Sequence, residues 1–291
     1  MNLNKSKLGD FLIVVFFIAL ICVCLFPMMN VFARSLSAPE HLIRREVGLF
    51  PRGFNLQAFN IVWSDPKYTW SLAWTAILTV ICTLLSLILT ILCAFPFVYK
   101  DLKGRKTLNV FMIFTMYFGA GMIPTFLLMR SLGLVDHPLV LILPASLSIF
   151  NTILMRSFFY GIPDSIRESA EIDGAGPFKT LMMIYLPLSK PVLATISLFY
   201  AVSRWNGYGD ALLFLRSPAS RRWDPIQLLL FRVQQNLTAI DVTQFETTAG
   251  NAPTEAIRMA TIVIATVPIL LVYPFIQKYF VAGVTLGSVK E

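Results

Sequence analysis

The chain has 291 residues, 56% of them hydrophobic and only 14% charged, with a mean hydropathy of +0.70. Soluble domains carry about a quarter charged residues, so this composition excludes an ordinary soluble protein and predicts an all-α integral membrane protein. The net charge of +8 would allow nucleic-acid binding. Membrane topology explains the basic clusters better, so we expect no nucleic-acid partner and direct contact with membrane lipid.

Long apolar stretches recur along the chain. A helix of about 20 apolar residues crosses the ~30 Å hydrocarbon core of a bilayer. We therefore predict a polytopic protein with one transmembrane domain over residues 1–291. Its six transmembrane helices are expected near residues 11–33, 71–99, 107–129, 138–158, 186–206 and 257–280. The first stretch is long and lacks a small-residue cleavage pattern, so it predicts a retained helix and not a signal peptide.

Short basic segments orient these spans. Lys5 and Lys7 precede the first span, and four basic residues lie between Lys100 and Lys106 after the second. Because such clusters stay in the cytoplasm, we expect both termini to be cytoplasmic. The connections 34–70 and 207–255 are then outer loops, and 162–187 is a cytoplasmic loop.

The third span contains residues that bend helices. Tyr117 is followed by Gly119, Gly121 and Pro124. Glycine and proline are tolerated in membrane helices where neighbouring groups satisfy the freed backbone. We predict a helix that can kink here, as a gate requires.

The cytoplasmic loop begins with a polar, charged segment. Ser165 and Glu168 have capping-box spacing, which predicts a short helix beginning at Ser165. The helix is expected to end near Asp173, because Gly174 tolerates a positive φ. Glu168 has two interpretations: it caps its own helix, or it enters a pocket on a cytoplasmic protein.

A second short helix should follow. Gly176 and Pro177 supply a turn and a first helical residue, and Pro187 and Pro191 mark the return to the membrane. Apolar residues at i, i+3, i+4 and i+7 predict one face packed on the bundle: Phe178, Leu181, Met182 and Tyr185.

Several polar and aromatic residues are candidates for a translocation path: Tyr117, Asn151, Trp205, Asn206 and Tyr208. Polar groups inside a membrane are costly and face protein or a water-filled cavity, and aromatic rings stack on sugar faces. The simpler alternatives are helix–helix hydrogen bonding by Asn151 and interfacial positions for Trp205 and Tyr208. Sequence alone favours those alternatives.

The sequence contains no sign of catalysis. There is no phosphate-binding G-x-x-x-x-G-K-[ST] motif, so energy must come from a separate subunit. His41 and His137, the only histidines, have no nucleophile or metal-ligand partner nearby in sequence. The four cysteines lie within predicted spans without metal-ligand spacing. We expect no catalytic residue, no metal and no bound cofactor.

The loop residues carry a resemblance. The run Glu168-Ser-Ala-Glu-Ile-Asp-Gly-Ala175, followed by Phe178, Ile184, Leu186-Pro187 and Pro191, resembles the EAA loop of ATP-binding-cassette importer permeases. Ser169 stands where that family more often has alanine. The segment Pro51–Phe59 and the tail Gly283–Lys290 are similar to the sugar-importing, maltose-permease G-like branch.

The resemblance implies a function and partners. The chain would be a type I importer permease for a sugar or oligosaccharide in the bacterial cytoplasmic membrane. It would pair as a heterodimer with a second homologous permease and work with two ATPase subunits, which bind ATP and Mg²⁺, and with an extracellular or periplasmic solute-binding protein. The outer loop around Thr238–Thr248 would reach into that binding protein.

The same resemblance implies two sets of ATPase-contacting residues. The coupling residues would be Glu168, Ser169, Ala170, Asp173, Gly174 and Ala175. The tail residues would be Gly287, Ser288, Val289 and Lys290, although the chain ends in Lys290-Glu291 and not in glycine.

Two alternatives remain open. A type I importer for amino acids, metals or phosphate would share the coupling loop. An ion-coupled secondary transporter would place paired carboxylates or a lysine within its spans. The five clear apolar runs, at residues 11–33, 71–99, 107–129, 138–155 and 259–277, contain no charged residue, which argues against that class.

Overall fold

The computed structural model describes residues 7–236 and 254–288, and within these ranges the chain is helical, with one isolated bridge and no strand. The α-helices in chain order are α1 Lys7–Ser35, α2 Pro39–Ile43, α3 Gln57–Ser64, α4 Pro66–Ala94, α5 Arg105–Tyr117, α6 Met122–Ser131, α7 Ile149–Tyr160, α8 Asp164–Ile172, α9 Pro177–Thr180, α10 Leu186–Leu188, α11 Lys190–Asn206, α12 Gly209–Phe214, α13 Ile226–Asn236 and α14 Thr254–Ser288. Shorter segments are 3₁₀ turns at Phe95–Val98, Pro138–Leu141 and Pro218–Trp223 and a π-helical turn at Leu181–Tyr185.

Contacts within the chain divide it into two units, one of residues 1–69 and 229–267, the other of residues 70–228 and 268–291. In the first unit, α1 is strongly apolar, and none of the residues in its most apolar stretch is buried. Arg34 near its end pairs with Glu255 at 2.9 Å. The prediction of one membrane domain concerns the whole chain and stays a prediction.

The second unit is built around α4, α7 and α11. Ala94, Met155 and Ile196 are fully buried in one apolar cluster. The hydroxyls of Thr90 on α4 and Tyr200 on α11 lie 2.7 Å apart, so a hydrogen bond joins the two helices.

Two described helices are long and apolar enough to cross a membrane alone, at residues 9–35 and 66–98. Two bent helix pairs also qualify if each pair is taken as one span. The sixth predicted span falls within α14. Membrane-spanning helices are therefore present, and the count of six stays a prediction.

The predicted third span is a broken helix. Helices α5 and α6 meet at 110°, and the break includes Gly119 and Gly121. Gly121 has φ of +87°, in the region that favours glycine. Pro124 lies in the first turn of α6, where a missing N–H costs no helical hydrogen bond. The prediction of a bend in this span is confirmed.

The fourth predicted span, 138–158, is not one continuous helix, and its crossing of the membrane stays a prediction. A 3₁₀ turn ends at Leu141, and α7 begins only at Ile149. Ser148 caps α7, its hydroxyl accepting from the Asn151 N–H at 3.3 Å. Ser148 thus offers the backbone an alternative to helix continuation, which apolar run length does not reveal.

The predicted fifth span is likewise bent. The axis turns by 83° between residues 177–188 and 190–206, and α11 begins at Lys190 with Pro191 in its first turn. Near its other end, Arg204 forms an ion pair with Asp210, with N–O distances of 2.5 and 2.9 Å. Arg204 also donates to the Leu141 and Gly207 carbonyls. The two terminal nitrogens of this buried guanidinium are therefore paired within the fold, while its Nε has no partner in the described part of the chain.

Candidate functional site

The predicted loop 162–187 contains a hairpin of short helices; its first helix is α8, and the start of α8 differs from the prediction. The helix begins at Asp164 with Pro163 as its N-cap, and no side chain caps its backbone. The predicted cap at Ser165 is therefore wrong. Pro163 already holds the extended backbone that a cap position needs, and Asp164 places negative charge in the first turn, where the helix dipole favours it.

The end of α8 agrees with the prediction. Gly174 has φ of +77°, and its N–H donates to the Glu171 carbonyl at 3.0 Å. The Ala175 N–H donates to the Ala170 carbonyl at 2.9 Å. These two bonds form a Schellman motif. The turn between the two hairpin helices is thus held in a single geometry.

Ion pairing ties the start of α8 to the segment after the second span. Lys100 Nζ lies 2.6 Å from Asp164 Oδ2. The hydrogen bond from Lys100 holds the pKa of the Asp164 carboxyl below its ordinary value. Because that pKa is lowered, the pair is present at neutral pH and is lost only as the pH falls through the lowered value.

Arg167 makes a second attachment from the middle of α8. Its guanidinium lies 5.3 Å from the centre of the Tyr99 ring and donates to Glu171 at 2.7 Å. The nearest Glu168 oxygen lies 3.6 Å from Arg167. A cation over an aromatic face contributes about 0.5–1 kcal/mol at an exposed site and more when desolvated. The contact with Tyr99 joins α8 to the end of the second predicted span.

The second hairpin helix is anchored by fewer residues than its pattern predicts. Leu181 and Tyr185, in the π-helical turn, are buried. Phe178 and Met182 are exposed, so the expectation that all four apolar residues pack inward is wrong. Widening the turn to a π-helix changes the angular spacing of the side chains, and a 3.6-residue pattern no longer describes one face.

Tyr185 provides the main anchor. Its ring packs edge-on against Phe95 after α4 and Phe159 on α7, with both centroids 5.3 Å away. Aromatic pairs of this kind contribute about 0.5–1.5 kcal/mol beyond their buried area. The hairpin is thereby packed onto α7 and onto the 3₁₀ turn that follows α4.

The side of the hairpin opposite to the packed residues Leu181 and Tyr185 is an exposed surface. Ile172 is 87% exposed and Phe178 is 67% exposed. Together with the exposed side chain of Glu168 and the turn at Gly174, they form what we call the coupling surface. Ile172 was not among the residues predicted from sequence; the available signal was an isoleucine directly before the polar helix end.

The coupling residues predicted from sequence lie close together in the fold. Glu168, Ser169 and Asp173 are exposed on α8 or at its end, and Ala170 and Ala175 are joined by the turn described above. The Ser169 hydroxyl donates to the Ser165 carbonyl at 2.8 Å and so adds to the helix.

The predicted path residues do not form one group. Tyr117 is 80% exposed at the end of α5, and Trp205 is buried at the end of α11. Asn206 and Tyr208 are exposed near the same end. Asn151 is separate from them and lines a cavity beside α7.

Other predictions fall at the limits of the described ranges. Gly287 and Ser288 lie in the last turn of α14, while Val289, Lys290 and the loop segment 238–248 lie outside the described residues. His41 pairs with Glu46 at 2.8 Å, and His137 Nδ1 accepts from the Leu139 N–H. Both histidines therefore have structural contacts.

Comparison with known proteins gives consistent matches. Residues 79–286 match the family described as binding-protein-dependent transport system inner membrane component. The polygalacturonan/rhamnogalacturonan transport system permease protein YtcP of Bacillus subtilis (strain 168) is 43% identical over 98% of this chain and 99% of its own length.

Solved structures match as well. A chain of a bacterial ABC transporter involved in the import of the acidic polysaccharide alginate has a TM-score of 0.88 at 33% identity, covering 96% of this chain and 99% of that chain. A chain of the alginate transporter in complex with an alginate pentasaccharide-bound periplasmic protein has a TM-score of 0.61 at 16% identity, covering 95% and 96%, and shares the fold.

Permeases of this family are transport components and not enzymes, and they bind no cofactor themselves, since ATP is used by partner ATPases. They reside in the bacterial inner membrane. By its family match and its similarity over nearly its whole length, the chain belongs to the binding-protein-dependent inner membrane components, the permease subunits of ABC importers.

Proposed function

We propose that this chain is one permease subunit of an ATP-driven, binding-protein-dependent importer of an oligosaccharide. The observation that carries the proposal is the coupling surface: a hairpin with exposed Ile172 and Phe178 whose opposite side is fixed to two membrane helices. Large exposed apolar residues on a rigid polar element indicate a protein contact. The occupant we propose is a cleft on an ATPase subunit.

Force on α8 has two routes into the membrane helices. Arg167 and Lys100 connect it to the end of α4, and Tyr185 connects the second hairpin helix to α7. Movement of the hairpin is then passed on as rigid-body rotation and not absorbed in a flexible loop. Closure of two ATPases would move the hairpins of both permeases together and convert an inward-facing cavity to an outward-facing one. The substrate leaves to the cytoplasm in the inward-facing state.

Carbohydrate is the substrate class we propose. The Bacillus relative carries polygalacturonan and rhamnogalacturonan in its name, and the solved transporter with 33% identity imports alginate. Both relatives match nearly the full chain, which supports a shared substrate class. A type I importer of a non-sugar solute is the alternative, and it has no counterpart among these relatives.

An ion-coupled mechanism has little support. The buried Arg204 could take part in an ion-coupling site only if its partner could change, but Arg204 donates to Asp210 and to two carbonyls. A coupling site needs a charge that can change partners.

We also propose that both termini are cytoplasmic and that the outer loop 207–255 contacts the solute-binding protein. The transporter is proposed to contain a second permease and two ATPases. The basic residues near Lys100 and before the first span support this orientation.

The function is tested in proteoliposomes holding the complete complex. Solute-binding protein loaded with trigalacturonate should stimulate ATP hydrolysis and drive uptake, because loaded binding protein is expected to favour the outward-facing state. Binding protein without ligand is the control. Uptake driven by an ion gradient without ATP would contradict the proposal, as would stimulation by an amino acid or phosphate and not by the trisaccharide.

A further inference from the structure

A cavity with polar and apolar lining residues lies beside the N-terminus of α7. It has a volume of about 420 Å³ and is lined by Ala145, Ser148, Phe150, Asn151, Phe199, Tyr200 and Ser203. A second cavity of about 290 Å³ shares three of these residues and adds Ser86 from α4 and the Arg204–Asp210 pair. Small-molecule sites commonly occupy about 300–1,000 Å³. The first cavity falls in that range and the second lies just below it, and the two adjoin between α4, α7 and α11.

The break before α7 gives this cavity a positive end. The first backbone N–H groups of a helix have no acceptor within the helix, and together with the dipole they favour an anion. Ser148 satisfies the Asn151 N–H and no earlier one. Half-helices that end inside a membrane commonly direct this end at anionic substrate groups.

Two buried polar side chains in the lining have no partner. Asn151 is 5% exposed, and its carboxamide makes no hydrogen bond within the described part of the chain. Ser86 is 1% exposed, and its hydroxyl is likewise unpaired there. Leaving a buried polar group unsatisfied costs about 1–3 kcal/mol. Such groups are retained where a ligand completes their hydrogen bonds.

The rest of the lining suits a sugar ring. Phe150 and Phe199 supply apolar faces, and the Tyr200 hydroxyl is fixed by Thr90 and by the Ser148 N–H at 3.1 Å. The one carboxylate in the lining, Asp210, is occupied by Arg204. An anion in the cavity therefore meets donors and no free negative charge among the lining residues.

We propose that this cavity is a subsite for one uronic acid unit of the transported oligosaccharide. The sugar carboxylate would accept from the backbone N–H groups at the start of α7 and from the Asn151 amide, and ring hydroxyls would bond to Ser86 and Ser203. The inference rests on the proposed function and deepens it, since it names an acidic sugar and assigns part of its binding to this subunit.

The test uses the complete transporter in proteoliposomes with trigalacturonate and its methyl ester as probes. Asn151→Leu should lower uptake of trigalacturonate about tenfold or more, since a hydrogen bond to a charged group is lost. Asn151→Asp should lower uptake of the acid severalfold more than uptake of the ester, because the new carboxylate repels only the acid. Aspartate is favourable in the first turn of a helix, so α7 is retained.

Matched variants separate binding from folding. Ser86→Ala should lower uptake severalfold. Ser197→Ala should not, because Ser197 lies on α11 outside the lining and bonds only to its own helix at Leu193, 2.7 Å away. ATP hydrolysis stimulated by loaded binding protein should stay within twofold of wild type in all variants.

Each other outcome overturns the inference. If Asn151→Leu takes up trigalacturonate at the wild-type rate, Asn151 is not part of a substrate site. If Asn151→Asp loses uptake of the acid and the ester equally, Asn151 does not contact the sugar carboxylate. If uptake and stimulated ATP hydrolysis fall by the same factor in the Asn151 variants, Asn151 contributes to the packing of the fold and not to substrate binding. Failure of the wild-type complex to import either probe would contradict the carbohydrate function itself.

Discussion

Replacement of Gly174 by valine is expected to abolish ATP-driven uptake while the permease still inserts into the membrane. Gly174 has φ of +77°, and a β-branched residue there is strained by about 1–2 kcal/mol or more. The space around the residue is open, so the cost comes from the backbone and not from a clash. Relief of this strain opens the Schellman turn and displaces α8 from its place against the ATPase. Co-purification of the ATPase and uptake in proteoliposomes measure the effect.

Two glycine controls separate docking from general strain. Gly176 has an ordinary φ of −69° and open space, so Gly176→Ala should retain uptake. Gly104 has φ of +78° in equally open space but lies outside the hairpin. Gly104→Val should therefore retain ATPase association. Normal uptake in Gly174→Val, or loss of ATPase association in Gly104→Val, would contradict the proposal that the turn at Gly174 couples the permease to the ATPase.

The substitution Asp210→Asn is expected to be the most destabilising change in the membrane region. It keeps the size of the side chain but leaves the Arg204 guanidinium, which is 7% exposed, without its counter-charge. Removing one partner of a buried ion pair costs about 3–5 kcal/mol. The thermal denaturation midpoint of the purified complex and the amount of folded permease in membranes should both fall.

A double variant tests this explanation. In Arg204→Met with Asp210→Asn the uncompensated charge is gone, so much of the lost stability should return. If Asp210→Asn denatures at the wild-type temperature, or if the double variant is no more stable than the single one, the ion pair does not stabilise the fold as its geometry indicates.

The hairpin shows which parts of the fold follow from local sequence. Gly174 and the Gly176-Pro177 pair determine the turn through their own backbone preferences, and these positions were predicted correctly. The start of α8 was not, because Pro163 and the pair of Asp164 with a distant lysine replaced the expected serine cap. An ion pair with a residue distant in sequence cannot be inferred from local spacing.

Membrane spans show a similar limit. Apolar length identified the first two spans, but the fourth is interrupted before Ile149. Composition alone cannot distinguish a continuous helix from two pieces whose free backbone groups face a cavity. Asn151 was a candidate because a polar residue in an apolar run is visible in sequence. Ser86 was missed, because serine in a membrane helix usually bonds to its own backbone and gives no signal.

The most direct test of the account is a cross-link between the two permeases on the cytoplasmic side. The four free cysteines are first replaced: Cys22, Cys24, Cys82 and Cys93. One cysteine is then placed at exposed Ser169 on α8 and another at the equivalent position of the partner permease. If ATPase closure moves the hairpins inward, the cross-link should form more readily with trapped ATP than without nucleotide. Equal cross-linking in both states, in a complex that still imports its substrate, would contradict coupling through this hairpin.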